Sequence, residues 1–156
     1  GIEIYGLPFE KIEFNEKFDV IIFNHTFEHL SNPLEVIRKA KLILKPKGII
    51  YIDLPNFDSI SARLMKSKWP MLLPEEHLWH FTEKAFNKLF RVFDFKIVYA
   101  EKASGIWDFE NPFFELFNAL KGFKKRFFGE VITLVPSFVL TKFKKGSDLM
   151  VIARKR

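Results

Sequence analysis

The stretch FDVIIFNHTFEHL, residues 18–30, decides the fold of this chain. Its first half contains an unbroken apolar run with β-branched residues at positions 20–23. Such a run is typical of a strand covered on both faces, as in a parallel sheet between layers of helices. Its second half places five polar or ionisable side chains in six positions: Asn24, His25, Thr26, Glu28 and His29. Ligands bind outside the carboxyl ends of strands in open α/β sheets, so this change of character predicts a functional site.

The residues that follow predict a strand–helix–strand unit. Ser31 or Asn32 is a favoured helix N-cap, and Pro33 suits the first helical position. Apolar residues then recur at helical spacing up to Leu44, and residues 48–54 read as a second buried strand. Because the two strands are joined by a helix, parallel pairing with a right-handed crossover is the default.

Periodicity and turn residues predict the remaining elements of a single α/β domain. They are a short strand over residues 1–5, a short helix over 57–68, a helix over 83–93 capped by Thr82, a strand over 95–101 and a last strand over 148–154.

Composition excludes some classes of function. With 48% apolar and 28% charged residues, the chain is ordinary for a globular protein. It has no Cys, which excludes disulfides, thiolate zinc sites and cysteine nucleophiles and is compatible with a reducing cytoplasm, where we expect the protein to act. The net charge of +6 favours anionic partners. We predict no nucleic-acid partner.

The composition of residues 106–145 differs from that of the rest of the chain and predicts a helical insertion before the last strand. The part over 112–145 contains eight Phe, seven Lys or Arg and only two acidic residues. One interpretation is a packed helical cap with a solvated basic face. The other is a peripheral membrane contact or lipid-substrate element, because basic amphipathic helices with aromatic residues suit anionic interfaces.

The ordered series FDVII, HTFEHL, NPLEVIRKAKLILKPKGIIYIDLPN, EEHLWHFT and DLMVIARK resembles class I S-adenosylmethionine-dependent methyltransferases. The branch is that of the ubiquinone-biosynthesis O-methyltransferases and the methyltransferases of polysaccharide gene clusters. The resemblance covers roughly residues 8–101 and 146–156. It implies a partial Rossmann-like sheet, mostly parallel with an antiparallel last strand. It also implies S-adenosylmethionine as cofactor and an acceptor oxygen or nitrogen on a small, glycan-linked or lipid-linked molecule.

One departure from the family pattern is the missing glycine-rich cofactor motif, since no G-x-G occurs in the chain. We therefore expect this sequence to be the carboxyl-terminal part of a longer methyltransferase. The alternative is a methyltransferase-like binding or scaffold module without catalysis. A sheet edge left open by missing strands would also invite a homodimer.

The resemblance also implies roles for site residues. Asn24, His25 and Thr26 would bind the methionine side of the cofactor. Glu28, His29 and Trp79 would form the substrate-side wall. His77 or His80 would act as general base, because a histidine of near-neutral pKa is a natural proton acceptor at physiological pH.

Two metal interpretations compete with these roles. The pattern H-x-x-E-H at residues 25–29 matches an inverted zinc-peptidase motif. That motif needs a continuous helix, for which there is no room between the predicted strand and the next helix. Some methyltransferases with an E-H pair here bind a divalent cation, and five residues offer suitable ligands: Glu28, His29, Glu76, His77 and His80. The plainer interpretation is that Glu28 and His29 cap the turn while the later histidines bond to backbone. We predict no metal site.

Overall fold

The computed structural model describes residues 1–103 and 146–156, so the predicted insertion at 106–145 and its basic part at 112–145 lie outside the described residues. The described chain contains one four-stranded sheet with the order β1-β2-β4-β3. Its strands are β1 (Phe18–Asn24), β2 (Leu44–Pro55), β3 (Phe95–Ala103) and β4 (Asp148–Lys155).

Three strands of this sheet run in one direction. Strands β1 and β2 are parallel, and β4 is antiparallel to both of its neighbours, β2 and β3. This confirms the expected mixed sheet with an antiparallel last strand. Asn24, the last residue of β1, pairs with Asp53 near the end of β2. The carboxyl ends of these two strands therefore lie side by side, where the sequence places the functional site.

Three α-helices lie between the strands in the described part of the chain, and each begins at a capping side chain. They are α1 (Pro33–Ile43), α2 (Ile60–Met65) and α3 (Glu83–Val92). The side chains of Asn32, Ser59 and Thr82 each accept a hydrogen bond from a backbone N–H in the first turn. The predicted caps at Asn32 and Thr82 are therefore confirmed.

The core lies on one face of the sheet, under α1 and α3, and contains many phenylalanines. Seven rings form a continuous series of contacts with centroid separations of 5.0–5.9 Å: Phe9, Phe23, Phe27, Phe81, Phe86, Phe90 and Phe95. Aromatic pairs at such distances add to the free energy gained by burial alone. This series accounts for much of the phenylalanine in the first hundred residues.

The opposite face of β1 differs from the prediction. Val20 and Ile22 are 45% and 64% exposed, so within the described residues the strand is covered on one face only. Residues 1–5 were expected to form a strand but have no strand pairing, and Ile2 and Ile4 are almost fully exposed. An apolar or alternating pattern shows that a segment suits burial, but it cannot show which partner covers it.

Two element boundaries also shift. Strand β2 begins at Leu44, which pairs with Phe18, and the register then slips so that Ile49 pairs with Val20. The helix predicted over residues 57–68 is shorter, because Ser59 rather than an earlier residue provides the N-cap.

Candidate functional site

The turn after β1 buries one of its polar residues, Glu28, and leaves the others exposed. His25 has a positive φ of 44°, and its backbone N–H donates to the carbonyl oxygen of Asp53 at 2.8 Å. A three-residue 3-10 helix, Phe27–His29, follows. This is far too short for the peptidase motif, as predicted. Phe27 is fully buried in the series of phenylalanines, and it brings the adjacent Glu28 with it into the interior.

Glu28 is the most unusual residue of the turn. Its side chain is 2% exposed, and neither carboxylate oxygen has a hydrogen-bond partner within the described residues. Among residues 1–103 and 146–156, the nearest ionisable groups are Nδ1 of His25 at 3.7 Å and Nε2 of His29 at 3.9 Å from Oε1 of Glu28. The expectation that Glu28 caps the turn is therefore wrong. A buried polar group without a partner costs free energy, so it requires a specific explanation.

His29 and His77 lie close to Glu28, and one ring nitrogen of each is hydrogen-bonded to a backbone carbonyl. Nδ1 of His29 lies 2.8 Å from the carbonyl oxygen of Glu76, and Nδ1 of His77 lies 2.8 Å from that of Met71. A carbonyl oxygen can only accept, so each Nδ1 carries a proton, and in the neutral imidazole each Nε2 keeps its lone pair. The centroids of the two rings lie 4.8 Å apart, so the structure brings the two histidine-containing segments together.

Glu28, His29 and His77 together form a group that could hold a metal ion. Each offers one ligand atom, and these atoms all lie within 4.8 Å of one another. Metal-binding histidines almost always donate their other ring N–H to a carbonyl or carboxylate, as both do here. Three protein ligands that leave further coordination positions open are typical of catalytic rather than structural sites. The residues present fit a divalent cation.

His80, the second predicted general base, lies beside this group. Its ring stacks on Phe57 with centroids 5.1 Å apart, and it lies 6.3 Å from the ring of His77. Burial lowers the pKa of His80, and the neighbouring His77 lowers it further. The lowered pKa favours the neutral form of His80, and its ring nitrogens make no hydrogen bond within the described residues.

The predicted cofactor-binding residues lie on the exposed side of the same turn. Asn24, His25 and Thr26 are all exposed, and the Thr26 hydroxyl donates to the carbonyl oxygen of Asn24. Trp79, predicted as part of the substrate wall, is 45% exposed and packs beside the turn. The structure brings the two predicted walls to one edge of the sheet.

Two contributors to the site were not predicted. Phe57 stacks on His80, and the carbonyl oxygen of Met71 orients His77. Phe57 could have been predicted, because it is the second residue after the end of β2, at the same sheet edge as Asn24. The role of Met71 could not be predicted from the sequence, because its backbone oxygen rather than its side chain contacts His77.

Comparison with known proteins identifies the family. A family model described as a methyltransferase domain matches residues 7–100. A ubiquinone biosynthesis O-methyltransferase from Haemophilus ducreyi is 33% identical over 63 residues, which cover 40% of this chain and 24% of that protein. The chain thus matches about a quarter of that relative's length.

Two solved structures share the fold. An S-adenosylmethionine-dependent methyltransferase from Thermotoga maritima has a TM-score of 0.60 at 13% identity, covering 94% of this chain and 60% of that chain. Phosphoethanolamine N-methyltransferase 2 from Haemonchus contortus, solved with S-adenosyl-L-methionine, has a TM-score of 0.55 at 14% identity, covering 95% and 36%.

At such low identities these structures show the fold alone.

Within residues 1–103 and 146–156, no helix is long and apolar enough to cross a membrane. The family model covers more than half of the chain, so the chain belongs to the methyltransferase domain family and has the α/β fold of class I S-adenosylmethionine-dependent methyltransferases.

Proposed function

We propose that this chain forms the acceptor side of an S-adenosylmethionine-dependent methyltransferase that transfers the methyl group to an acceptor oxygen. The observation that carries the proposal is the buried carboxylate of Glu28, which has no hydrogen-bond partner in the described chain and faces Nε2 of His29. With His77 it forms a ligand set for a divalent cation. This replaces the expectation of a site without metal.

The chain's residues have distinct roles in this proposal. Glu28, His29 and His77 would hold the cation, which when bound would lower the pKa of a nearby hydroxyl. Such assistance suits an oxygen acceptor, because a hydroxyl must lose its proton to become a good nucleophile. A neutral amine already has a free lone pair and needs no such help. His80 accepts the hydroxyl proton, because its ring nitrogens bond to no described residue and it lies beside His77. Positioning of the acceptor against the activated sulfonium methyl supplies most of the remaining rate.

The cofactor side of the cleft is only partly present in this chain. Asn24, His25 and Thr26 form an exposed polar edge at the end of β1, which suits the polar methionine part of S-adenosylmethionine. The glycine-rich motif that would hold the rest of the cofactor does not occur in the sequence. We propose that a longer protein, of which this chain is the carboxyl-terminal part, supplies it.

Apolar side chains around the site support an acceptor with an apolar portion. Four of them are between 40% and 54% exposed: Phe57, Met71, Leu78 and Trp79. A lipid-linked or glycan-linked acceptor would cover such a surface. The peripheral membrane contact through 112–145, the cytoplasmic location and the homodimer remain predictions.

Cation binding provides the direct test. We would titrate the chain with Co²⁺ and follow the visible absorption that arises when nitrogen and carboxylate ligands bind. Glu28→Gln should weaken binding by at least tenfold. Glu76→Gln is the matched control, because Glu76 is exposed and orients His29 only through its backbone carbonyl. Equal affinity in the Glu28 variant would refute the ligand assignment.

Methyl transfer would then be measured in the intact protein with labelled S-adenosylmethionine and paired acceptors that differ only in bearing a hydroxyl or an amine. We expect transfer to the hydroxyl and its loss with a chelator. Transfer to the amine alone, unaffected by chelation, would contradict the proposal.

A binding module without catalysis is the second candidate, favoured by the missing glycine-rich motif. Calorimetry of the intact protein with S-adenosylmethionine separates the two, because a scaffold that has lost the cofactor would release no heat of binding.

A further inference from the structure

The ligand set is assembled from two chain segments that are far apart in sequence. Glu28 and His29 lie in the turn after β1, whereas His77 lies in the loop before α3. Three hydrogen bonds between described residues join the two segments. The first is donated by Nδ1 of His29 to the carbonyl oxygen of Glu76 at 2.8 Å.

Trp79 donates the other two. Its backbone N–H donates to the carbonyl oxygen of Glu28 at 3.1 Å, and its indole Nε1–H donates to that of Leu30 at 2.8 Å. One residue thus holds the turn on both sides of His29. We propose that Trp79 is a positioning residue that fixes the distance between the Glu28–His29 pair and His77. This inference rests on the proposed function, because the positioned group is the proposed cation site.

The exposure of Trp79 indicates that packing is not its main contribution. A tryptophan retained for the core would be buried, as Trp69 is at 4% exposure, whereas Trp79 is 45% exposed. Its indole N–H instead donates a hydrogen bond to the backbone carbonyl of Leu30 in the turn. A ligand set must be held to within about half an ångström to keep its productive geometry. A hydrogen bond that anchors the turn therefore affects the ligand positions more than the overall fold.

The variant that tests this is Trp79→Phe, which removes the indole N–H and keeps both an aromatic ring and the backbone bond to Glu28. We expect its affinity for Co²⁺ to fall about tenfold or more, the effect usual for groups that orient metal ligands. The midpoint of thermal unfolding without metal should change little. Trp69→Phe is the control, because its ring packs on Phe57 and His80 and its loss should lower stability while preserving Co²⁺ affinity.

A second readout does not depend on a metal. Nitrogen NMR of His29 reports which ring nitrogen carries the proton, and the bond to Glu76 predicts the Nδ1–H form in the wild-type chain. Trp79→Phe should loosen the turn and mix the two tautomers.

The two proposals fail in different ways. If the wild-type chain binds no Co²⁺, the cation site is refuted, and the tautomer measurement alone decides the role of Trp79. If Trp79→Phe binds Co²⁺ as tightly as wild type, or leaves the His29 tautomer unchanged, the positioning role is overturned.

Discussion

Replacing Glu28 by methionine should make the metal-free chain more stable while removing its response to a cation. Methionine is similar in length and has no polar group that needs a partner. The carboxylate of Glu28 is 2% exposed and has no hydrogen-bond partner among the described residues. Leaving a buried polar group unsatisfied costs about 1–3 kcal/mol. We therefore expect Glu28→Met to raise the free energy of unfolding by about that amount.

The cation should act in the opposite direction. A ligand that binds only the folded state at a hundred times its Kd adds about 2.7 kcal/mol to the free energy of unfolding. The wild-type chain should gain this increment with Co²⁺, and Glu28→Met should gain none. Urea denaturation, with and without a chelator, measures all four values by linear extrapolation.

The control is Glu76→Met, at an exposed carboxylate of the same loop. Surface changes of this kind usually stay within about 0.5 kcal/mol, and the response to Co²⁺ should be retained. If Glu28→Met instead destabilises the metal-free chain, the carboxylate has a stabilising structural role. The inference from its missing partners would then be wrong.

Three further predictions concern the surrounding fold. Phe27→Ala should lower the free energy of unfolding by about 3–5 kcal/mol in denaturation experiments, because it leaves a cavity at a fully buried ring. Lys155→Met should cost about 1–2 kcal/mol, since the Lys155 ammonium donates to the carbonyl oxygens of Lys41 and Leu44 at the end of α1; an unchanged unfolding midpoint would contradict this. Burial lowers the pKa of His80 below 6.5, so on acidification the unfolded chain binds a proton at this histidine at a higher pH than the folded chain does. The free energy of unfolding should therefore fall as the pH drops below 6.5. In His80→Asn, this part of the pH profile should become flatter.

Local signals in the sequence predicted the elements that depend on local interactions. The caps at Asn32 and Thr82 act within one helical turn, so residue type and spacing were enough to place α1 and α3. The run at residues 20–23 was enough to place β1. Its exposure was mispredicted, because Val20 and Ile22 face a side of the sheet that no described helix covers.

The site itself could be predicted only in part, because its chemistry depends on contacts between distant segments. The sequence identified histidines of two separate segments as possible cation ligands, and the structure brings His29 and His77 together. It could not show that the Nδ1 atom of each is fixed by a backbone carbonyl, because any residue type can supply that oxygen. Nor could it show that Glu28 lacks a partner.

The burial of Glu28 follows from its neighbour in the chain. Phe27 lies in the core and is held there by rings on both sides, Phe23 and Phe81. In the 3-10 turn that begins at Phe27, the next side chain is carried inward as well. An apolar residue at this position would fit the interior at no electrostatic cost. A sequence that breaks a local rule of stability in this way usually does so at a functional site. The carboxylate therefore supports a cation site more strongly than the two histidines would by themselves.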